Sequence, residues 1–282
     1  MLEFGHDLAL MSTPIDIAFI GGGNMATAII GGLLRQGREP ASILVIDPVA
    51  EQRQRLTENL GVQTAEGPEA ILSTAHTVVW AVKPQQFKDA AQSYALLTDQ
   101  ALHYSVMAGL RTDDMARLLG TPRIVRAMPN TPALVGQGMT GLFARPEVSH
   151  DERDQIEQMV ATTGDHLWVD QEADLDAVTA LSGSGPAYVF YFIEAMMQAA
   201  QDMGLSADQG RQLAQATFAG ATALAQQSPD SPATLRERVT SKGGTTYAAL
   251  THMDGAGIKT AFIEAMRAAQ RRAAELGDEF GR

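Results

Sequence analysis

The sequence predicts an α/β protein, a doubly wound parallel sheet in the N-terminal half followed by an all-α helical C-terminal domain. Three observations predict it. Short apolar runs alternate with helix-spaced segments as far as about Asp170, and each run ends in Gly, Pro, Asp, Lys or Asn. A glycine turn, Gly21-Gly22-Gly23, stands directly between the first apolar run and the first helical segment. From Asp174 onward strand signal fades, and Ala, Met and Leu dominate. The expected domains are 15–172, which would bind a dinucleotide, and 173–282, which would be helical.

Taken in order, Ile15–Ile20 reads as a strand and Met25–Arg35 as the helix after the glycine turn. Ile43–Ile46 is a second strand closed by Asp47-Pro48, and Val49–Leu60 is helical. Thr77–Val82 closes at Lys83-Pro84, His103–Ala108 at Gly109, and Ile124–Met128 at Pro129. In such a sheet ligands sit outside the C-terminal strand ends, so these closing residues are where chemistry is to be sought. In the second half, Pro186 suits a first helical position ahead of Ala187–Met203. Ser206 with Gln209 forms a capping box for a helix through about Gln226, and Ser231-Pro232 opens another. One more follows Gly243-Gly244, and Ile258–Leu276 is the last. These helices, with Tyr188, Phe190, Tyr191 and Phe192, carry more apolar surface than one small bundle hides, which predicts a dimer interface; a plain monomeric core is the alternative.

Composition excludes several classes. The 282 residues are 45% hydrophobic and 19% charged, as in a globular chain. A net charge of −12 without a basic run argues against a nucleic-acid partner. There is no cysteine, so disulfides, thiolate metal sites and cysteine nucleophiles are excluded. The six histidines, His6, His76, His103, His150, His166 and His252, lack ligand spacing, so no metal site is expected. No run reaches the ~18 apolar residues of a membrane helix, and Met1–Pro14, without a signal-peptide pattern, reads as a frayed extension. The expectation is a soluble, cytoplasmic protein.

The pattern G-x-G-x-x-A over Gly21–Ala26 has a physical purpose. The first glycine allows a tight turn, the second admits a pyrophosphate to the backbone, and a small third residue lets helix and strand pack. Asn24 and Met25 begin the helix whose free N–H groups would face the phosphates. Asp47 would accept hydrogen bonds from the adenosine ribose of NADH and repel the 2′-phosphate of NADPH, while Arg53 and Arg55 could reach a phosphate or simply be solvated. Ala81-Val82-Lys83-Pro84 ends the third strand, where Lys83 would hold cofactor or cap carbonyls. Asn130, in the proline-braced turn Met128-Pro129-Asn130-Thr131-Pro132, would address the nicotinamide amide or serve the turn alone. Ser182-Gly183-Ser184-Gly185-Pro186 lacks the order of a nucleophile elbow. Ser241-Lys242-Gly243-Gly244-Thr245-Thr246 would expose successive N–H groups as a nest for a carboxylate, or be a flexible helix cap.

Together these residues resemble the pyrroline-5-carboxylate reductase family, from Ile15 to about Glu275. The carriers are IAFIGGGNMATAIIGGL at Ile17–Leu33, AVKPQ at Ala81–Gln85 and RAMPNTPALVGQGMT at Arg126–Thr140, then DAVTALSGSGPAY at Asp176–Tyr188 and RERVTSKGGTT at Arg236–Thr246. The resemblance implies a Rossmann domain and a helical domain intertwined with a partner subunit, the homodimers assembling into larger rings such as a decamer. It implies reduction of the cyclic imine at C5 by NADPH or NADH, giving L-proline in the last step of proline biosynthesis. Cofactor contacts would fall on Gly21, Gly22, Gly23, Asn24, Met25, Asp47, Ala81, Val82, Lys83, Pro84 and Ala108. Substrate contacts would fall on Glu172, Gly244, Thr245 and Thr246, with Thr246 as the catalytic residue hydrogen-bonded to the ring nitrogen. Lys242 stands where the family has proline, and Pro68, Met107 and Arg238 also depart from its pattern, which leaves NADPH and NADH both open. A hydroxyacid reductase is disfavoured because no lysine lies between Lys88 and Lys242. A reductase of a related cyclic imine and a non-catalytic dinucleotide-binding regulator are the alternatives.

Overall fold

The computed structural model describes residues 14–281; the expectations for His6 and the rest of segment 1–13 lie outside them. The strands are β1 (Ile17–Ile20), β2 (Ile43–Ile46), β3 (Gln63–Ala65), β4 (Thr77–Trp80), β5 (Leu102–Ser105), β6 (Ile124–Met128), β7 (Gly138–Ala144) and β8 (Gly164–Trp168). Helices α1 (Asn24–Arg35), α2 (Ala50–Leu60), α3 (Phe87–Tyr94), α4 (Thr112–Leu119) and α5 (His150–Ala161) lie between them. Then come α6 (Asp174–Val178), α7 (Gly185–Asp202), α8 (Ala207–Gln227), α9 (Pro232–Arg238), α10 (Thr245–Gly255) and α11 (Ile258–Phe280).

The strands make one eight-stranded sheet in the order β3-β2-β1-β4-β5-β6-β7-β8. Among the described residues only the β6–β7 pair is antiparallel. The core follows from strand parity. Ile17 and Phe19 of β1, Ile43 and Val45 of β2 and Val79 of β4 join Ile29, Ile30, Leu33 and Ile156 on one face. Ala18, Ile20, Leu44, Ile46, Val78 and Trp80 point the other way, onto Leu72, Phe87, Ala91, Met115 and Leu119. With both faces covered, β1, β2 and β4 are fully buried, which is why they read as continuous apolar runs. This is the doubly wound α/β sheet that the sequence predicts, with the helical segment after it.

The sequence reading leaves β3, β7 and β8 unplaced. β3 is a short polar edge, Gln63-Thr64-Ala65. β7 carries Gly138 and Gly141, which look like turn residues, yet a Cβ at Gly141 would stand 2.7 Å from Val178 Cγ1. That close approach, with Leu175 buried, keeps α6 on the sheet. The first compact unit therefore runs on to Gly183 and also takes in the chain from Arg272, while Ser184–Arg271 forms the second. The end of α11 packs where Phe280 Cδ2 and Leu276 Cβ lie about 3 Å from a Cβ built on Gly109, and Arg111 pairs with Asp278 at 2.8 Å.

In the second unit, α7 and α8 form a hairpin in which Gly210 lies against Ala200. Only Ala200, Gly210 and Ala214 are buried among its residues. Tyr188, Phe192 and Phe262 cluster edge to face, but Phe190 and Tyr191 remain 59% and 69% exposed.

His103, on β5, accepts a hydrogen bond from Trp80 Nε1 at 2.9 Å on Nδ1, and its Nε2 lies 3.0 Å from the Thr98 carbonyl. Burial pushes its pKa down to about 4, so the neutral imidazole fits and the cation does not. An unfolded His titrates near ~6.5, so the unfolded chain binds the extra proton between those values. Stability from this residue is complete above about pH 6.5 and falls toward pH 4, by on the order of 2–3 kcal/mol. Urea unfolding of His103→Gln at pH 7 and pH 4.5 checks it: the variant should lose less stability on acidification than the unmodified chain.

Candidate active site

β1 lies between β2 and β4, and the sheet reverses its winding there, so a crevice opens at their C-terminal ends. The strand ends are locked in step: the Gly21 N–H donates to the Ile46 carbonyl at 2.8 Å, and the Ala81 N–H to the Ile20 carbonyl at 2.9 Å. Gly21 has φ +98°, and a Cβ there would sit 2.7 Å from the Ala81 carbonyl oxygen. At Gly22 a Cβ would meet Leu56 Cδ1 at 2.6 Å. Gly23, the N-cap of α1, faces open space instead, with nothing within 4 Å of a built Cβ. No side chain caps α1, and no acid lies in its first turn. Ala26 is fully buried against the sheet. The turn is thus packed on its inner side and open on the outer side, where N–H groups and the helix dipole face outward. These residues fit the pyrophosphate of a dinucleotide.

Asp47 follows β2. Its Oδ2 accepts from the Gly22 N–H and its Oδ1 from the Val49 N–H, both at 2.9 Å. The Gln52 amide donates to the Gly22 carbonyl. Arg53 Nη1 donates to the Asp47 carbonyl at 2.8 Å, and Nη2 lies 3.4 Å from Glu66. On the other side of the crevice Ala81 and Val82 are half-buried, Lys83 is exposed, and Pro84 opens a short 3-10 turn. Ala108 is exposed after β5.

Glu172 has both carboxylate oxygens engaged. Oε1 takes the Thr112 N–H at 2.8 Å and Arg126 Nη1 at 3.0 Å, and Oε2 takes the Thr112 hydroxyl at 2.6 Å. It thereby closes the N-terminus of α4, just beyond the loop that bears Ala108, and neutralises Arg126, which is 4% exposed on β6. Burial raises the neighbouring Asp176 carboxyl pKa, opposed by Arg126 and Arg111 and assisted by Glu172 and Asp278. Asn130 is also engaged: Nδ2 donates to the Ser182 hydroxyl at 3.1 Å and Oδ1 accepts the Met139 N–H at 2.9 Å. Sequence reasoning missed Thr112 and Arg126. The available signal was an arginine inside the apolar run of β6, a charge that must find a partner when buried.

In the second unit, Gly243 has φ +76° and Gly244 caps α10 without a side-chain hydrogen bond. The Gly244 N–H donates to the Ser241 carbonyl at 3.0 Å, and a Cβ on Gly244 would strike Ser241 Oγ at 2.5 Å. Thr245 and Thr246 follow as the first helical residues, with no acid in that turn and with Lys242 exposed. Among the described residues no cluster of His, Cys, Asp and Glu has metal-binding geometry, and no helix is long and apolar enough to cross a membrane.

A doubly wound sheet with an open, uncapped glycine turn at its switch point defines the class of dinucleotide-binding α/β proteins. Known proteins narrow this further. Residues 172–276 match the family model for pyrroline-5-carboxylate reductase dimerisation, and residues 16–109 match that for NADP oxidoreductase, coenzyme F420-dependent. Pyrroline-5-carboxylate reductase of Pseudomonas aeruginosa is 43% identical over 96% of this chain and 100% of its own length. The solved Coxiella burnetii pyrroline-5-carboxylate reductase superposes with a TM-score of 0.87 at 37% identity, covering 94% of this chain and 99% of that one. The Plasmodium falciparum pyrroline carboxylate reductase, solved with NADP bound, gives 0.84 at 25% identity over 93% and 98%. The chain belongs to the pyrroline-5-carboxylate reductase family.

Two glycine substitutions separate packing from binding at the turn. Gly21→Ala forces a side chain at positive φ onto a carbonyl and should cost about 2 kcal/mol of stability. Gly23→Ala should leave the melting temperature within about 2 °C while weakening dinucleotide binding about tenfold or more, as its methyl blocks close approach of the phosphates. Calorimetric titration and melting curves of both variants check this; unchanged dinucleotide affinity in Gly23→Ala would count against the site.

Proposed function

We propose that the chain reduces 1-pyrroline-5-carboxylate to L-proline with NADPH or NADH as reductant, the last step of proline biosynthesis. One observation carries the reading. Helices α1 and α10 have glycine at the N-cap itself, with no side-chain cap and no first-turn acid, which suits the two anions of this reaction, the dinucleotide pyrophosphate and the substrate carboxylate. When bound, the reduced nicotinamide supplies hydride to the imine carbon. A protonated imine is already electrophilic, so the protein's task is mainly to place and hold the ring.

In this reading the backbone N–H groups of Gly23, Asn24 and Met25 hold the pyrophosphate, while Gly21 and Gly22, whose N–H groups serve the Ile46 carbonyl and Asp47, shape the turn and let it approach. Asp47 holds the adenosine ribose, and Ala81, Val82, Lys83, Pro84 and Ala108 line the opposite wall. The Thr245 and Thr246 amides hold the substrate carboxylate, Gly244 shapes the turn with its own N–H on the Ser241 carbonyl, and Lys242 adds positive field. The Thr246 hydroxyl positions the imine nitrogen. Glu172 and Asn130 act one step back. Glu172 braces the Ala108 loop through Thr112, and Asn130 braces the start of β7 through Met139. The decisive measurement is pyrroline-5-carboxylate-dependent oxidation of each dinucleotide. Thr246→Val should raise KM for the imine about tenfold or more, the cost of a lost hydrogen bond to a charged group, and leave the dinucleotide Kd unchanged. A variant with unaltered KM would sink the assignment.

The chain would work as a homodimer, assembled into a ring such as a decamer, in the cytoplasm. The support is the poverty of the second unit's own core, three small buried residues beneath a surface bearing Phe190 and Tyr191. Phe190→Asp combined with Tyr191→Asp should shift sedimentation from dimer or larger toward monomer. An unmodified chain that sediments as a monomer at micromolar concentration would overturn the assembly.

A further inference from the structure

We infer that this chain prefers NADH to NADPH and that Asp47 sets the preference; the inference rests on the dinucleotide reading of the Gly21–Gly23 turn. In a sheet of this winding, the residue that follows β2 meets the adenosine ribose. Here that residue is a carboxylate fixed from both sides. The Gly22 N–H holds one oxygen and the Val49 N–H the other, each at 2.9 Å. So anchored, it has no second rotamer that keeps both bonds. Each oxygen retains a lone pair, which suits a ribose diol with two O–H donors. A 2′-phosphate offers no such donor at neutral pH and brings close to two negative charges beside a fixed one.

Apart from the uncapped start of α2, the surroundings supply little to offset that repulsion. Pro48 has no N–H, Val49 has already donated its own, and Pro48, Val49 and Ala50 carry no polar side chain. Glu51 opens the first turn of α2 with a further negative charge. Arg53 is the cation nearest in the chain, but its two terminal nitrogens serve the Asp47 carbonyl and Glu66, and its side chain is 19% exposed. Arg55 Nη2 donates to Gln52 Oε1 at 2.6 Å. Binding a 2′-phosphate would mean drawing Arg53 away from Glu66 and leaving Asp47 against the new charge.

Calorimetric titration and thermal melting with NADH and with NADPH, imine absent, test the inference apart from turnover. NADH should bind about tenfold or more tightly and raise the melting temperature further at equal concentration. Asp47→Ser, which removes the charge and keeps a hydroxyl, should move the NADPH-to-NADH affinity ratio about tenfold toward NADPH. Because Asp47 also anchors the glycine turn, Glu66→Gln serves as a second variant at a side chain 79% exposed. It frees Arg53 and should move the ratio the same way, roughly threefold. NADPH binding as tightly as NADH to the unmodified chain would overturn the inference, as would a ratio unmoved in both variants. Failure of both dinucleotides to bind would sink the reading of the turn as well. Tighter NADH binding without imine reduction would overturn the reductase reading and uphold the preference.

Discussion

The approach of Gly21 to the Ala81 carbonyl is the constraint on which the first unit depends. β1 and β4 run parallel with paired registers from Ile17–Thr77 to Ile20–Trp80. Their continuations must then part, one into α1 and the other into the Lys83-Pro84 turn. A side chain at Gly21 would wedge the strands apart just where they begin to separate. With hydrogen there, the backbone turns at positive φ and α1 starts immediately. The first turn of α1 is thus aimed outward, with Leu56 and Val45 walling the inner side at Gly22. Sheet packing and ligand access are set by the same few ångströms of backbone.

Much of this was legible in the sequence, and the reason is burial. β1, β2 and β4 are covered on both faces, so all their residues but Thr77 are apolar and the runs stand out. The glycine turn was legible because its spacing has a steric meaning at each position. β8 was not: its residues alternate between half-buried and exposed at the sheet edge, and Gly164-Asp165-His166 looks like a loop. β7 hides behind glycines needed by α6 and by the Thr163 carbonyl, features that only tertiary contact explains. At the site, side-chain commitments were illegible for a different reason. Nothing in the spacing of Glu172 and Thr112, sixty positions apart, announces that they meet.

That meeting changes what the strand-end loops are. A loop rich in small residues after β5 would be soft if left to itself. Here Ser105 Oγ lies 3.3 Å from the Met107 N–H, Met107 is buried, and Gly109 is pressed by Phe280 from the last turn of α11. Glu172 fixes the next residues through Thr112 while neutralising buried Arg126. Removing Glu172 would therefore leave both an open helix terminus and an uncompensated buried cation. The carboxylate is thus committed to Thr112 and Arg126 at once.

Helix capping differs from one helix start to another along the chain. α5 and α8 begin at Ser149 and Ser206 in reciprocal capping boxes, and α9 begins at Ser231, whose hydroxyl takes the Thr234 N–H. α4 has its first N–H taken by Glu172 from far along the chain. In each case an orphan donor is satisfied internally, which stabilises the helix by about 1 kcal/mol. α1 and α10 forgo this: Gly23 and Gly244 occupy the cap, carry no acceptor, and are followed by no acid. Gly23 has open space for a serine side chain, whereas a Cβ on Gly244 would meet Ser241 Oγ at 2.5 Å. Glycine at both caps leaves the first-turn N–H groups of α1 and α10 without a side-chain acceptor. In the proposed reading the dinucleotide pyrophosphate completes α1 and the substrate carboxylate completes α10.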